Sequence, residues 1–292
     1  MERWFAALVA VCALAGQAVA GQPVTAVERS SSAAVAAKVK ELKLKSTNAL
    51  VVDQINKRVL YAKKDDQVVP IASITKLMTA LVVLEAKLPL DERIAITRED
   101  YDRVKRQPSR FGAGTSVSRG DLLKVMLMAS ENRAAAALAR TYPGGTAAFV
   151  AAMNQKALEL GMSETRFVDS SGLGDENVST ARDLAWMVDA AYRQPLIREY
   201  TTYPSQTVEI NKGRKMQFAN SNQMVRYRHW DIGLSKTGYL DAAGRCLVMQ
   251  ATIGTTPVII VLLHSWGKHT RIGDANRIKT WIESNSSRQP AG

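Results

Sequence analysis

Three short segments carry residue types that could work together in covalent chemistry. The first is Ser73-Ile74-Thr75-Lys76. A serine hydroxyl is a poor nucleophile until a base sits beside it. Positions i and i+3 share a helix face, so a helix opening at Ser73 would bring the Lys76 amine to the hydroxyl. A helix N-terminus adds free N–H groups and partial positive charge. In apolar surroundings a lysine pKa falls, and the neutral amine can accept a proton. The ordinary reading is an N-cap serine followed by a solvated lysine. The second segment is Ser130-Glu131-Asn132. It could supply a second hydroxyl and an amide, or simply cap a helix. The third is Lys236-Thr237-Gly238. Lysine and threonine can bond a carboxylate, and glycine lets a substrate backbone come close. Its ordinary reading is a polar strand end before a turn.

The elements that must position these segments are legible in the pattern. Ala49–Asp53 and Arg58–Tyr61 read as two strands joined at Asn56-Lys57. Ile74–Ala86 is apolar on every face, so it reads as a helix buried all round and ended by Pro89. Ser118 and Asp121 resemble a capping box opening a helix through Met128. Arg133–Tyr142 and Thr146–Leu160 read as helices, the second stopped by Gly161. Thr180 and Asp183 cap another through Tyr192. Asp231–Ser235 is strand-like and leads into the third segment. Leu247–Ile253 and Val258–Leu263 pair across Gly254-Thr255-Thr256, and a last helix covers Asp274–Ile282. Strands thus flank a helical middle. The expected class is α+β, with one antiparallel sheet built from N- and C-terminal segments plus a helical subdomain.

Taken together, in this order and on these elements, the three segments are far more specific than any one alone. Ser-x-x-Lys, Ser-x-Asn and Lys-Thr-Gly are the signature of penicillin-binding proteins and class A β-lactamases. The chain resembles the low-molecular-mass serine D,D-peptidases, and within them the penicillin-binding protein 7 or D-alanyl-D-alanine endopeptidase type. Further segments carry the likeness: Ser130–Ala135, Thr165–Asp169, Ser171-Gly172-Leu173, Val178–Leu184 and Ala243–Met249. It spans roughly Leu50 to Ile282.

The resemblance implies a β-lactamase/transpeptidase-like fold and hydrolysis of D-alanyl cross-links through an acyl-enzyme on Ser73. Lys76 would take the serine proton, and Ser130 would relay one to the leaving amine with electrostatic support from Lys236. Asn132 would bond a substrate amide and Thr237 a carboxylate. Gly238 would allow close approach, and the backbone N–H groups of Ser73 and Tyr239 would form the oxyanion hole. No metal or cofactor is implied. The partners implied are peptidoglycan stem peptides, with β-lactams as covalent inhibitors. Glu131 departs from the glycine of many carboxypeptidases and the aspartate of β-lactamases; its side chain is expected to point away from substrate. The Glu-x-x-Leu-Asn segment of class A β-lactamases is missing, since none of Glu159, Glu164 and Glu176 is followed by Leu-Asn at that spacing. A D-alanyl-D-alanine carboxypeptidase uses the same acylation chemistry and is the alternative. A class A β-lactamase and a wall-binding protein without turnover are the remaining readings.

The rest of the chain sets the context. Arg3, an apolar run from Trp4 to Ala15 and Ala18-Val19-Ala20 have the order of a cleavable signal peptide over residues 1–20. Residues 21–45 are rich in Ala, Ser, Lys and Val and read as a flexible linker. The peptidase domain is expected over 46–284, with a polar tail at 285–292. An exported, periplasmic protein with no transmembrane anchor follows. The 292 residues carry a net charge of +12, which suits a negatively charged wall or membrane surface better than nucleic acid, a polymer an exported protein rarely meets. Cys12 leaves with the signal, so Cys246 has no intrachain partner. His229, His264 and His269 form no His-Glu-x-x-His pattern, and there is no Gly-x-Ser-x-Gly elbow. Met126, Met128, Met153 and Met187 read as core packing. Lys268 and Arg271 follow the final strand, where they could meet a substrate carboxylate.

Overall fold

The computed structural model describes residues 42–102, 109–211, 213–226 and 229–286. The expected signal peptide, most of the linker and the last residues of the tail lie outside these. Strand β1 (Asn48–Asp53) turns through Lys57, at positive φ, into β2 (Val59–Lys63). Asp53 fixes that turn by accepting from the backbone N–H of Ile55 and of Asn56. The two-residue strand β3 (Val69–Pro70) leads to a 3-10 turn at Ala72–Thr75. Helix α1 (Lys76–Glu85) follows, then β4 (Arg93–Ala95), α2 (Arg98–Asp102) and β5 (Ser116–Ser118). Next come α3 (Arg119–Met128), α4 (Asn132–Arg140) and α5 (Gly145–Glu159). Strand β6 (Val178–Ser179), α6 (Ala181–Tyr192) and α7 (Pro195–Thr202) precede the hairpin β7 (Ser205–Ile210) and β8 (Arg214–Ala219). A short α8 (Gln223–Arg226), the long strands β9 (Asp231–Leu240), β10 (Gly244–Ile253) and β11 (Thr256–Ser265), and α9 (Thr270–Ser286) complete it.

The main sheet runs β2-β1-β11-β10-β9, antiparallel throughout. β1 pairs with β11 from Asn48↔Leu263 to Asp53↔Val258, so the two ends of the domain meet at the sheet centre. Its faces are buried differently. Val248 and its neighbours on one side join the main core with the helices, whereas Leu247, Met249 and Ala251 pack against Ala275, Ile278 and Ile282 of α9. This is the two-residue alternation of a strand covered on both faces. α1 is buried from Lys76 to Val83 and packs against α3, α4, α5 and α6, as its all-round apolar sequence requires.

Several boundaries move. Leu42 and Leu44 pack into the α9-side core, and Asp274 accepts from the N–H of Lys45 and of Ser46, so packed chain extends into the expected linker. Helix α9 begins at Thr270 rather than Asp274 and reaches Ser286, taking in the start of the expected polar tail. The β10–β11 turn is tighter than expected, with only Gly254 and Thr255 between the strands. The four-stranded sheet β4-β5-β7-β8 and α7 were not expected. Their strands are short, and β5 meets β7 at Val117↔Ile210. The caps Ser118 on Asp121 N–H and Thr180 on Asp183 N–H are as expected.

Candidate active site

Ser73 lies on the 3-10 turn that precedes α1, and Lys76 is the first residue of α1 itself. In a 3-10 turn residues i and i+3 eclipse, which explains why the Lys76 amine reaches Ser73 Oγ at 2.8 Å. Lys76 Nζ also meets Asn132 Oδ1 at 2.7 Å and Ser171 O at 2.5 Å. Lys76 is fully buried, and burial pulls its pKa down to about 7, against the opposing pull of Asp169 and Glu131. Two of its three partners are carbonyl oxygens, which only accept. A neutral amine has two N–H bonds for these and one lone pair, which leaves the lone pair for the Ser73 hydroxyl proton. The geometry therefore suits a serine activated by a lysine base.

A second dyad stands beside the first. Lys236 Nζ donates to Ser130 Oγ at 2.8 Å and to Thr237 O at 2.9 Å. Its pKa lies well below the usual lysine range, through burial first and then the charges of Lys76 and Arg271. Ser130 holds φ +63, an uncommon conformation for a non-glycine residue and one that gathers at functional sites. It does not cap α4. Glu131 does, accepting from Ala134 N–H at 2.7 Å and also from the Ser109 hydroxyl. That turns the Glu131 carboxylate into the protein, as expected. Asn132 contributes its Oδ1 to Lys76 rather than to an open cleft, leaving its Nδ2 side to donate.

β9 is the outer strand of the main sheet, and it runs against the serine turn. At Gly238 a Cβ would sit 3.1 Å from the Ser73 nitrogen and from Ile71 O, so glycine permits this approach. Thr237 Oγ1 pairs with Ser221 Oγ at 2.8 Å. Gly238 O accepts from Arg271 Nη1 at 3.2 Å. Tyr239 sends its side chain outward, where the hydroxyl donates to Asp241 Oδ1 at 2.7 Å, so only its backbone can face the serine.

Sequence reasoning missed the support behind Lys76. Asp169 Oδ1 accepts from Ser171 N–H at 2.5 Å, Ser171 Oγ at 2.8 Å and Gly172 N–H at 2.7 Å, which shapes the turn that aims Ser171 O at the amine. Asn177 is fully buried and ties this turn to the serine turn. It donates to Asp169 O and to Thr75 Oγ1, and accepts from Val168 N–H. Thr165–Asp169 and Ser171-Gly172-Leu173 stood among the segments that carry the likeness, and the Asp-Ser-Ser-Gly run has the composition of a turn, but neither was given a role toward Lys76. Ser221, sixteen residues before Thr237, gave none. Among the described residues no helix is long and apolar enough to cross a membrane.

Known proteins are similar to this chain in fold and sequence. The described fold superposes on the Streptomyces K15 DD-transpeptidase with a TM-score of 0.78 at 28% identity, covering 83% of this chain and 98% of that one. A penicillin-binding protein D2 from Listeria monocytogenes, in its ampicillin-bound form, aligns with a TM-score of 0.70 at 32% identity, covering 82% of this chain and 98% of that one. A D-alanyl-D-alanine endopeptidase of Pseudomonas aeruginosa is 48% identical over 242 residues, 82% of this chain and 78% of the relative. One from Escherichia coli is 45% identical over 252 residues, 86% and 81% of the two chains. The model of the peptidase S11 family, described as D-alanyl-D-alanine carboxypeptidase, matches residues 33–266. With a serine beside a buried lysine on a β-lactamase/transpeptidase-like α+β fold, the chain belongs to the peptidase S11 family of D-alanyl-D-alanine peptidases.

Proposed function

We infer that this enzyme is a D-alanyl-D-alanine endopeptidase that opens peptide cross-links in peptidoglycan and is acylated by β-lactams. The observation that carries the reading is the buried Lys76 amine, 2.8 Å from Ser73 Oγ and brought to a pKa near neutrality. Relatives at 48% and 45% identity bear the endopeptidase name, which favours that reading over simple trimming. Export to the periplasm belongs to the same proposal, supported by the signal-like order of residues 1–20.

The steps follow from the contacts. Ser73 Oγ attacks the carbonyl carbon of the donor D-Ala while Lys76 takes the hydroxyl proton. The carbonyl oxygen gains the charge, and the backbone N–H groups of Ser73 and Tyr239 are the donors proposed to meet it. The C–N bond then breaks. The leaving nitrogen collects its proton from Ser130 Oγ, and the proton Lys76 took from Ser73 passes on to Ser130, which restores its hydroxyl and returns Lys76 to the neutral amine, while Lys236 supports Ser130 electrostatically. Thr237 and Arg271 hold the carboxylate next to the leaving nitrogen. Water then attacks the ester carbon and gives a proton to the neutral Lys76 amine, which hands it to Ser73 Oγ as that oxygen departs, restoring both groups.

Purified cross-linked dimers decide the reading. Monomers should accumulate with the wild-type protein and not with Ser73→Ala. Shortening of pentapeptides with every dimer left whole would make the enzyme a carboxypeptidase, the activity in the family model's description.

A further inference from the structure

Beyond Thr237 the cleft continues into a pocket of about 90 Å³ that includes Ser221, Asn222, Arg245, Lys268 and Arg271 in its lining. It adjoins the leaving-group side of the site, because Ser221 Oγ is bonded to Thr237 Oγ1 and Arg271 to Gly238 O. We propose that this pocket binds a second carboxylate of the leaving peptide, and that Arg245 and Lys268 thereby select cross-linked substrates over a stem peptide ending in free D-Ala. This rests on the endopeptidase reading above.

Three observations point to an anion. No aspartate or glutamate lines the pocket, and among the described residues none of Arg245, Lys268 and Arg271 forms an ion pair with a carboxylate. Cations are thus gathered without a counter-charge. Burial, and then the charge of Arg245, pull the Arg271 pKa below its ordinary value, so an anion there would relieve repulsion the protein leaves standing. Second, the buried Asn222 Nδ2 has no hydrogen-bond partner among the described residues, while its Oδ1 accepts from Met224 N–H. A buried amide donor without an acceptor is costly in a folded protein, and a bound carboxylate oxygen would satisfy it. Third, Arg245 is held in advance, its guanidinium 4.6 Å from the centre of the Tyr239 ring. A positioned cation loses less freedom when it binds.

The chemistry separates two substrates. Terminal D-Ala leaves with one carboxylate, which Thr237 and Arg271 can hold. The leaving group of a cross-link is a diamino acid within a second stem peptide. It carries one carboxylate beside the cleaved amide and others further along its own chain. Only the second kind of leaving group can fill both places.

The test compares kcat/KM on a defined cross-linked dimer and on a pentapeptide monomer. Arg245→Gln and Lys268→Gln should each lower the dimer value at least about tenfold, mainly through KM, and so shift the dimer-to-monomer ratio by about the same factor. Arg245→Lys should restore most of that ratio. A dimer whose leaving peptide is amidated at every carboxylate except the one beside the cleaved bond supplies an arm independent of mutation. Wild-type protein should cleave it no better than the variants cleave the native dimer. Acylation by penicillin reports that each variant is folded, and if Arg245→Gln fails this, Lys268→Gln and the amidated dimer still decide. Equal losses on dimer and monomer, or indifference to amidation, would overturn the proposal. A wild-type enzyme that trims monomers but leaves all dimers intact would instead overturn the endopeptidase reading, and the selection proposed here with it.

Discussion

Gly172 and Ala72 meet backbone to backbone: a Cβ built on Gly172 would stand 2.0 Å from Ala72 O and 2.7 Å from Thr75 Oγ1. Both residues have positive φ, +73 and +49. One belongs to the turn that presents Ser171 O to Lys76, the other to the turn that presents Ser73. Their contact sets how closely the turn carrying Ser171 O is held against the turn carrying Ser73 and Lys76. Gly172→Ala must push the two turns apart, because neither carbonyl nor turn can yield like a flexible side chain. A displacement near 1 Å costs on the order of 10²-fold in rate. Acylation by a chromogenic cephalosporin, timed by stopped flow, should slow by about that factor. A variant within a few-fold of wild type would show that this contact does not set the geometry.

Acylation should also carry a pH signature. Lys76 accepts a proton only when neutral, and its pKa is drawn down to about 7. Below that value each pH unit should cost about tenfold in acylation rate, because the neutral fraction falls by that factor; above it the rate should level off. Lys76 and Arg271 disfavour a positive charge on Lys236, while Asp169 and Glu131 favour one on Lys76. Asp169→Asn removes one attraction for the ammonium, so the acid limb of the profile should move to lower pH. A move to higher pH would mean that another group controls the limb.

How much of this was readable beforehand depends on how local each contact is. Ser73 and Lys76 lie three residues apart on one turn, so their types and spacing were enough. α1 and the strands β10 and β11 each carry a long apolar run and announced themselves. The partners of Lys76 at Ser171 and Asn132 are separated from it by 95 and 56 residues, and only folding brings them near. The Ser171 contact is through a backbone carbonyl, which any residue type could have supplied. Ser130 read as a plausible cap, but its positive φ hands that role to Glu131. The second sheet was illegible because β4 and β5 have three residues each, too few to show an alternation.

Asn177 offers a stability test of the same support. It is fully buried and joins Val168, Asp169 and Thr75 through both ends of its amide. Asn177→Ala leaves several of these groups without partners, at about 1–3 kcal/mol for each one that stays buried and dry. Urea unfolding should show a loss of about 2–4 kcal/mol. Asn177→Asp keeps the acceptor but sets a buried carboxylate oxygen against the Asp169 carbonyl and Thr75 Oγ1, so it should lose at least as much as Asn177→Ala. Equal stability for all three proteins would remove Asn177 from the account.

The fate of a bound β-lactam is the sharpest separation from a β-lactamase. Hydrolysis of the acyl-enzyme needs a base that activates water on the open side of the ester. The two carboxylates that act on Lys76 most strongly are Asp169 and Glu131. Asp169 Oδ1 accepts from Ser171 and Gly172, and Glu131 accepts from Ala134 and Ser109. Burial raises the Glu131 pKa as well, which makes it a poorer solvent-facing carboxylate. Neither is placed to take a proton from water, and no Glu-x-x-Leu-Asn segment supplies another. Lys76 must then serve both halves of the reaction. With D-Ala or a peptide as leaving group the amine departs and water can enter its place. With a β-lactam the amine stays tethered to the opened drug and blocks that approach. Lack of a general base typically costs 10²–10⁴-fold, so a penicilloyl adduct on Ser73 should last minutes or longer. Mass spectrometry of the protein mixed with benzylpenicillin reads this directly. A mass shift that persists while free penicilloate stays low is the expected result; an adduct gone within seconds, with penicilloate accumulating, would make the enzyme a β-lactamase.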